Sequence, residues 1–571
     1  RASSSAAPRT ERLPRERAAM RADDASCALP YDNGRWTAAT TAAARGCIME
    51  SLQRDLKWWR TESCQGSPAT PGPRVPDIEA TLCRVRAQNR HTVLTNMILL
   101  QSRGGNLSAL FMVDPGDKRG PSRNWPGRPV AAIQQLAELQ QRVHEGALPP
   151  LPDFVAILNT HDQPQQLAPS GWCGLLPILS NSRTAGAHRD LLMPDYSFAS
   201  TMYLTNSLQN QSQSSALPQG WPDERASVYQ AGIRAEWAKR HKTLYWRGGL
   251  THPQRQTYAD GLNAPSLRLP NGLAPDAVLC DHHCSRDQGV PPAAWCENRV
   301  LLSMPGRSFA VGFKYTMLCG SLVVRGATGV CSTSACADEF AQWWQAGLRE
   351  NEHYVASKAV DDMPQVLGRA GLASEAEAIG RRGADYAFHV LDPAFVLEYW
   401  HALLSGYAAL HEWKFPLATV NACEQPPPRP ALPSDSLNKL EQACLKGPRT
   451  GQCQMGDGFR LVADPADFVP ILPPEIVASE ISSKKGLARL YSRYARVVPG
   501  RFGGVSNIDR EARDAIDSSG LVVRSSPNYD AARGKLRHLN RTWSHEIETG
   551  IDRQKHIPKY YAKTISKKAR P

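Results

Sequence analysis

The chain has no apolar run approaching the roughly 18–20 residues needed to span a bilayer; its longest candidates, such as residues 92–100, are of strand or short-helix length. This argues against an integral membrane protein. Residues 1–26, rich in Ala, Arg and Ser, contain no apolar stretch of the kind a secretory signal carries and read as a disordered, stem-like or transit-like segment. No Met opens the chain, so a targeting segment preceding it is open. The main body also lacks excess charge. Of the net +13, residues 481–571 hold 20 Lys+Arg against 8 Asp+Glu, which leaves +1 for residues 1–480. The basicity belongs to a C-terminal extension, and the body is not patterned as a polyanion-binding surface.

A second metal-ligand pair is missing as well. The run Cys280-Asp281-His282-His283-Cys284 has the look of a zinc half-site, but zinc needs two ligand pairs at defined spacings. No metal site is expected. The 14 cysteines read better as disulfides formed in an oxidising compartment. Sequons at Asn106, Asn210 and Asn540 are compatible with that.

With 571 residues, 42% hydrophobic and 21% charged, the chain has ample material for several α/β units. Residues 48–59 and 131–143 place apolar side chains at helical spacing. Residues 77–86 predict another helix and 92–100 an extended segment. DFVAILN, residues 153–159, is a continuous apolar run suited to a buried parallel strand. It ends at Thr160-His161-Asp162-Gln163, so Asp162 falls just past a strand's carboxyl end, where open α/β sheets keep their chemistry. A carboxylate there can serve as general base. His161 is the adjacent alternative, and a plain turn before Pro164 is the bland one.

The central stretch is KTLYWRGGLTHPQRQTYADGL, residues 242–262. It predicts a strand through Leu244-Tyr245-Trp246 and an abrupt turn at Arg247-Gly248-Gly249. Glycines there would let the backbone approach a ligand. Arg247 and Arg255 offer guanidinium forks suited to phosphate oxygens, although two solvated arginines on a turn remain the simpler account. Further on, residues 298–303, 321–325 and 354–358 predict strands. Residues 308–318 predict a short helix with Ser308 as N-cap, a natural diphosphate position. Residues 373–390 predict a helix, and Asp392-Pro393 opens another. Residues 426–433 are Pro-rich and mark a boundary.

Taken in order, these segments resemble the capsule-associated-protein type of glycosyltransferase, glycosyltransferase family 90. That family includes protein O-glucosyltransferases and fungal capsule xylosyltransferases. The resemblance runs over about residues 120–412. It is carried by DFVAILNTHDQP (153–164), MPDYSF (193–198), the Trp-Arg-Gly … Arg segment (244–255), residues 296–324, residues 352–358, and Tyr399-Trp400. It implies a GT-B-like α/β architecture, two Rossmann-type domains facing a cleft. The implied division is a leading segment 1–26, an acceptor-side domain 27–235 and a donor-binding domain 236–392. A closing helix 393–415, a linker 416–433 and a basic extension 434–571 follow.

The implied activity is inverting transfer of glucose or xylose from a UDP-sugar to a hydroxyl of a protein or glycan, with no cofactor or essential metal. No nucleic-acid partner is implied, and the setting is the lumen of the endoplasmic reticulum or Golgi, or another organelle. By position, Asp162 is the implied base. Arg247, Gly248, Arg255, Arg307, Ser308, Phe309 and Lys314 are the implied donor-binding residues. Asp195, Tyr196 and Phe198 lie on the acceptor side, and Cys296–Cys319 is an implied disulfide. Gly312 departs from the glucosyltransferase pattern, which has Arg there, and removes one positive charge near the diphosphate. A catalytically weak binding member of the family is the alternative.

Overall fold

The computed structural model describes residues 27–63, 78, 81–82, 85, 97–113, 127–166, 175–184, 188–200, 220–280, 290–306, 308–326, 340–370, 374–413, 468–481 and 484–497. Arg307, residues 281–284, the sequons at Asn210 and Asn540 and the chain beyond 497 lie outside them.

The strands, in chain order, are β1 (Met97–Arg103), β2 (Asn106–Val113), β3 (Phe154–Asn159), β4 (Ile178–Ser180), β5 (Arg183–Thr184), β6 (Leu191–Leu192), β7 (His241–Gly249), β8 (Ala274–Cys280), β9 (Asn298–Ser303), β10 (Leu322–Gly326), β11 (Phe340–Ala341), β12 (Val355–Ser357), β13 (Val469–Pro470) and β14 (Ala495–Val497). They form a mixed α/β fold with a seven-stranded sheet, a five-stranded sheet and a two-stranded pair, β5 with β11.

The seven-stranded sheet runs β13-β2-β1-β3-β4-β6, with β14 also on β2. Its β1–β2 hairpin turns through Gly104 and Gly105, both at positive φ (56° and 78°), the conformation a two-residue type I′ turn demands. Asn106, exposed, closes that turn. All six residues of β3 are buried, as its unbroken apolar run requires. Helix Gly127–His144 lays Val130, Ile133, Leu136, Leu139 and Val143 into the core beside it.

The five-stranded sheet has the order β12-β10-β9-β7-β8, and every pairing is parallel. Its strands bury apolar side chains on both faces. Leu244, Trp246, Val300, Leu302, Leu322 and Val324 pack with helices Pro253–Leu262 and Met363–Ala370. The alternate residues Tyr245, Leu301 and Val323 join the main core with Phe313 and Met317. This period-2 alternation between two apolar layers explains why the strands read as continuous hydrophobic runs.

Several local expectations shift. β7 does not turn at Arg247; it stays paired with β8 through Gly249↔Cys280. The expected helix from Ser308 begins instead at Phe313, with Gly312 as its N-cap. Residues 308–311 are therefore loop. Residues 373–390 split into an α-helix, Ser374–Asp385, and a π-helical turn, Tyr386–Val390. Asp392 does cap helix Pro393–Ala408, accepting from Ala394 N at 2.9 Å. That helix returns to the first sheet. Its Tyr399, Trp400 and Tyr407 donate to Leu192 O, Gln135 Oε1 and Val155 O.

Part of the extension is integral to the fold. β13 lies antiparallel and β14 parallel on the outer edge of β2. Tyr491 and Tyr494 from the intervening helix Lys484–Tyr494 pack against Phe111. An unpaired edge strand is thereby covered. Among the described residues, no helix is long and apolar enough to cross a membrane. Among the described residues two disulfides are formed, Cys27–Cys47 and Cys296–Cys319. The second, with Cα atoms 4.6 Å apart, ties the residue after helix Pro292–Trp295 to the end of helix Phe313–Leu318.

Candidate active site

In the five-stranded sheet, β7 is followed by β8 on one side and then by β9 on the other. The crossover direction reverses between β7 and β9, and a crevice opens outside their carboxyl ends, the usual ligand position in such sheets. A cavity of about 470 Å³ lies there. Tyr245, Trp246, Arg247, Thr251 and Arg255 reach it from β7 and the following helix, and Ser303, Gly306, Ser308, Phe309 and Gly312 from β9 and its loop. From the first sheet's side come Arg128, Asp162 and Tyr196.

Asp162 follows β3 and meets Arg128, from the first turn of helix Gly127–His144. Arg128 Nη1 is 2.8 Å from Asp162 Oδ1. The guanidinium also lies over the Tyr196 ring, 4.8 Å from its centroid. Burial opposes the Arg128 charge, but its acidic neighbours, Asp162 among them, outweigh it and hold the group more firmly protonated than usual. Burial raises the Tyr196 phenol, which stays neutral. The Asp162 side chain keeps 36% exposure, so this carboxylate is oriented on one oxygen while remaining open to the cavity. His161 is not among the cavity-lining residues; its backbone N–H donates to Asn159 Oδ1.

The two arginines of the central stretch have different settings. Arg247 is engaged with Asp276 on β8. Nη2 lies 2.8 Å from Oδ1, and Nη1 donates to Asp276 O at 2.8 Å and Trp246 O at 3.0 Å. It also rests 4.3 Å over the Tyr245 ring. Arg255 donates to three carbonyls, Pro305 O (3.0 Å), Gly249 O (2.9 Å) and Met304 O (2.8 Å). It thereby staples the loop after β7 to the loop after β9. Burial lowers its pKa to about 10, which leaves it cationic at neutral pH. Gly248 serves a different purpose from the one its position suggested. A Cβ there would lie 2.3 Å from the Trp246 indole, so the glycine makes room for a core ring rather than for a ligand. Gly306 is where the loops close on each other; its Cβ would sit 3.0 Å from Thr251 Oγ1.

Ser308 and Phe309, both buried, line the cavity. Lys314 does not. It is 2% exposed and enclosed by Phe198, Trp221 and Tyr315, with Nζ 4.4–5.1 Å from the three ring centroids. Its Nζ donates to Ser197 Oγ, which in turn donates to Asp195 Oδ1. Asp195 is fully buried, accepting also from Ser197 N and from Gln342 Nε2, both at 2.8 Å. Phe198 packs on Trp221 and Trp343. Of the three residues expected on the acceptor side, only Tyr196 reaches the cavity. Asp195, Phe198 and Lys314 form a knot behind it.

Arg128, Tyr245 and Thr251 were not singled out by sequence reasoning. Arg128 ends a Gly/Pro/Arg-rich stretch of sequence, where one arginine looks like another. Tyr245 reads as an ordinary strand aromatic.

The model of glycosyl transferase family 90 matches residues 126–425, a stretch that holds the whole cavity. The chain belongs to glycosyl transferase family 90. It is similar to protein O-glucosyltransferase 1 of Mus musculus, 26% identical over 273 residues, and to that of Homo sapiens, 25% over 276 residues. O-glucosyltransferase rumi of Drosophila melanogaster is 24% identical over 286 residues. Each alignment covers 45–46% of this chain and 62–63% of the relative. The chain thus spans less than two thirds of the relatives' length.

Proposed function

We propose that this family 90 member is an inverting glycosyltransferase of GT-B-like architecture, its two sheets forming Rossmann-type halves around the cavity. The donor is a UDP-sugar, with glucose or xylose as the transferred unit. The acceptor is a hydroxyl of a protein or glycan. Asp162 takes the proton of that hydroxyl while its oxygen attacks the anomeric carbon. The bond from that carbon to the diphosphate breaks, and UDP departs with the electron pair. Arg255 and, from its pairing with Asp276, Arg247 supply positive charge to the leaving group. Arg128 orients the base.

The observation that carries this reading is convergence. Asp162 from the first sheet and Arg247 and Arg255 from the second line a single cavity at a switch point. The disulfides support an oxidising lumen, endoplasmic reticulum or Golgi, as the setting.

The test is UDP release from a panel of UDP-sugars with protein and glycan acceptors, comparing wild type with Asp162→Asn. Turnover with one donor that collapses in the variant supports the reading and names the sugar. Turnover that survives moves the base elsewhere, with His161 next in line. A weak or inactive binding member is favoured by two features: Arg247 is already committed to Asp276, and Gly312 brings no charge. Saturable UDP binding without turnover on any acceptor would select it.

A further inference from the structure

Two residues that line the cavity, Tyr245 and Thr251, carry buried hydroxyl oxygens with no hydrogen-bond partner in the protein. Folded proteins leave few such atoms unpaired, because each forfeits its hydration without compensation. Tyr245 is only 8% exposed. A phenylalanine would give the same ring to the core and the same platform to Arg247, 4.3 Å away, without the stranded oxygen. The hydroxyl therefore weakens the empty protein and serves only when something in the cavity accepts from it. Burial raises the Tyr245 pKa, so the phenol remains a hydrogen-bond donor at neutral pH.

Thr251 has a matching situation. Its Oγ1 and Arg255 Nη2 flank the same point above Gly306, 3.0 and 3.6 Å from where a Cβ would be. Among the described residues Arg255 hydrogen-bonds to carbonyls alone. A hydroxyl beside a buried guanidinium suits a phosphate oxygen.

We propose that Tyr245 is a donor-binding residue whose phenol donates to an oxygen of a nucleoside-diphosphate sugar, with Thr251 as a second hydroxyl directed at the diphosphate beside Arg255. This rests on the reading of the cavity as a UDP-sugar site. Neither residue takes part in the proton transfer; both hold the donor.

The experiment titrates full-length wild type, Tyr245→Phe and Thr251→Val with UDP, UDP-glucose and UDP-xylose, and melts each protein without ligand. Loss of one neutral hydrogen bond weakens binding by roughly 3- to 10-fold. Tyr245→Phe is expected to show that loss for a sugar nucleotide, with a ligand-free melting temperature equal to or above wild type. Thr251→Val, whose hydroxyl is directed at a charged diphosphate, is expected to weaken UDP itself on the order of 10-fold or more. Two results overturn the inference: Tyr245→Phe binding all three ligands as tightly as wild type, or melting lower without ligand, which would make the hydroxyl a structural group. Wild type that binds none of the three rejects the donor-site reading itself. Wild type that binds while the variant is unaffected rejects the inference alone.

Discussion

The cavity and the Lys314 knot lie back to back, and both hold cations against aromatic rings. At the cavity, Arg247 lies over Tyr245 and Arg128 over Tyr196, each paired with a carboxylate that is itself 36–40% exposed. Two neighbouring hydroxyls lack partners. In the knot, Lys314, Ser197, Asp195 and Gln342 form a chain of hydrogen bonds in which each member is buried. One arrangement is open and holds unpartnered hydroxyls; the other is closed, and each of its four members has at least one hydrogen-bond partner. A buried network of linked hydrogen bonds gives rigidity and a defined geometry. Unsatisfied groups facing a cavity give binding capacity. The adjoining residues Tyr196 and Ser197 thus belong to opposite kinds of site, and the knot fixes the backbone from which Tyr196 reaches Arg128.

The largest effect expected from this contrast is at Asp162. Asp162→Asn keeps the shape and a contact for Arg128 but removes the base. Turnover is expected to fall on the order of 10²- to 10⁴-fold, with donor affinity changed by less than about 3-fold. Single-turnover rates beside equilibrium UDP-sugar binding measure both. A variant that loses donor binding as much as rate would place Asp162 on the donor side.

Lys314 tests the closed half. Lys314→Ala leaves a hole among three rings and removes a donor from Ser197, at a cost of roughly 3 kcal/mol. A denaturant series should show this as a lower midpoint, while UDP affinity of the folded protein stays within about 2-fold of wild type. Preserved stability with lost UDP binding would instead show the lysine reaching the donor, and the contrast would fail.

The same residue predicts a pH effect with a defined sign. Burial lowers the Lys314 pKa to about 8, partly opposed by Asp195. An unfolded lysine titrates near 10.4. Between those values the unfolded chain holds a proton that the folded chain has released, so stability rises with pH across that window. Melts from about pH 7.5 to 9.5 should climb more steeply for wild type than for Lys314→Met. Parallel curves would mean the folded lysine titrates normally.

How legible was this from residues alone? β3, β7 and β9 were visible because a strand buried on both faces needs an apolar run, and such runs stand out; β3, expected to be parallel, pairs antiparallel with β1 and parallel only with β4. The place of Asp162 followed from the end of one of them. Lys314 was not legible. A lysine one residue into a helix after a Gly-Ser loop looks the same whether it meets phosphate or an aromatic cage, and what decides is tertiary burial by Phe198 and Trp221. Gly248 misled for a related reason, since the ring that requires it is its own neighbour's. The Arg128–Asp162 pair joins residues far apart in sequence with no shared periodicity. β13 and β14, two and three residues long, carry too little pattern to reveal an edge that exists only once β2 is in place.

The smallest expected effect is at Gly312, and it bears on how incomplete the cavity is. Gly312 lines the wall as the N-cap of helix Phe313–Leu318, with φ −67°, a conformation open to any L-residue. A Cβ added there meets nothing within 4 Å. Neither strain nor a clash therefore calls for glycine at this position. Gly312→Arg should fold with an unchanged melting temperature. A charge-assisted hydrogen bond contributes about 1.5 kcal/mol or more, so UDP should bind on the order of 10-fold tighter, and the gain should shrink as salt is raised. Turnover need not follow, because an interaction made equally with bound donor and transition state lowers KM without raising kcat. If the arginine leaves affinity unchanged, Arg255 already supplies the charge that the diphosphate can use, and the cavity is less incomplete than its bare wall at 312 suggests.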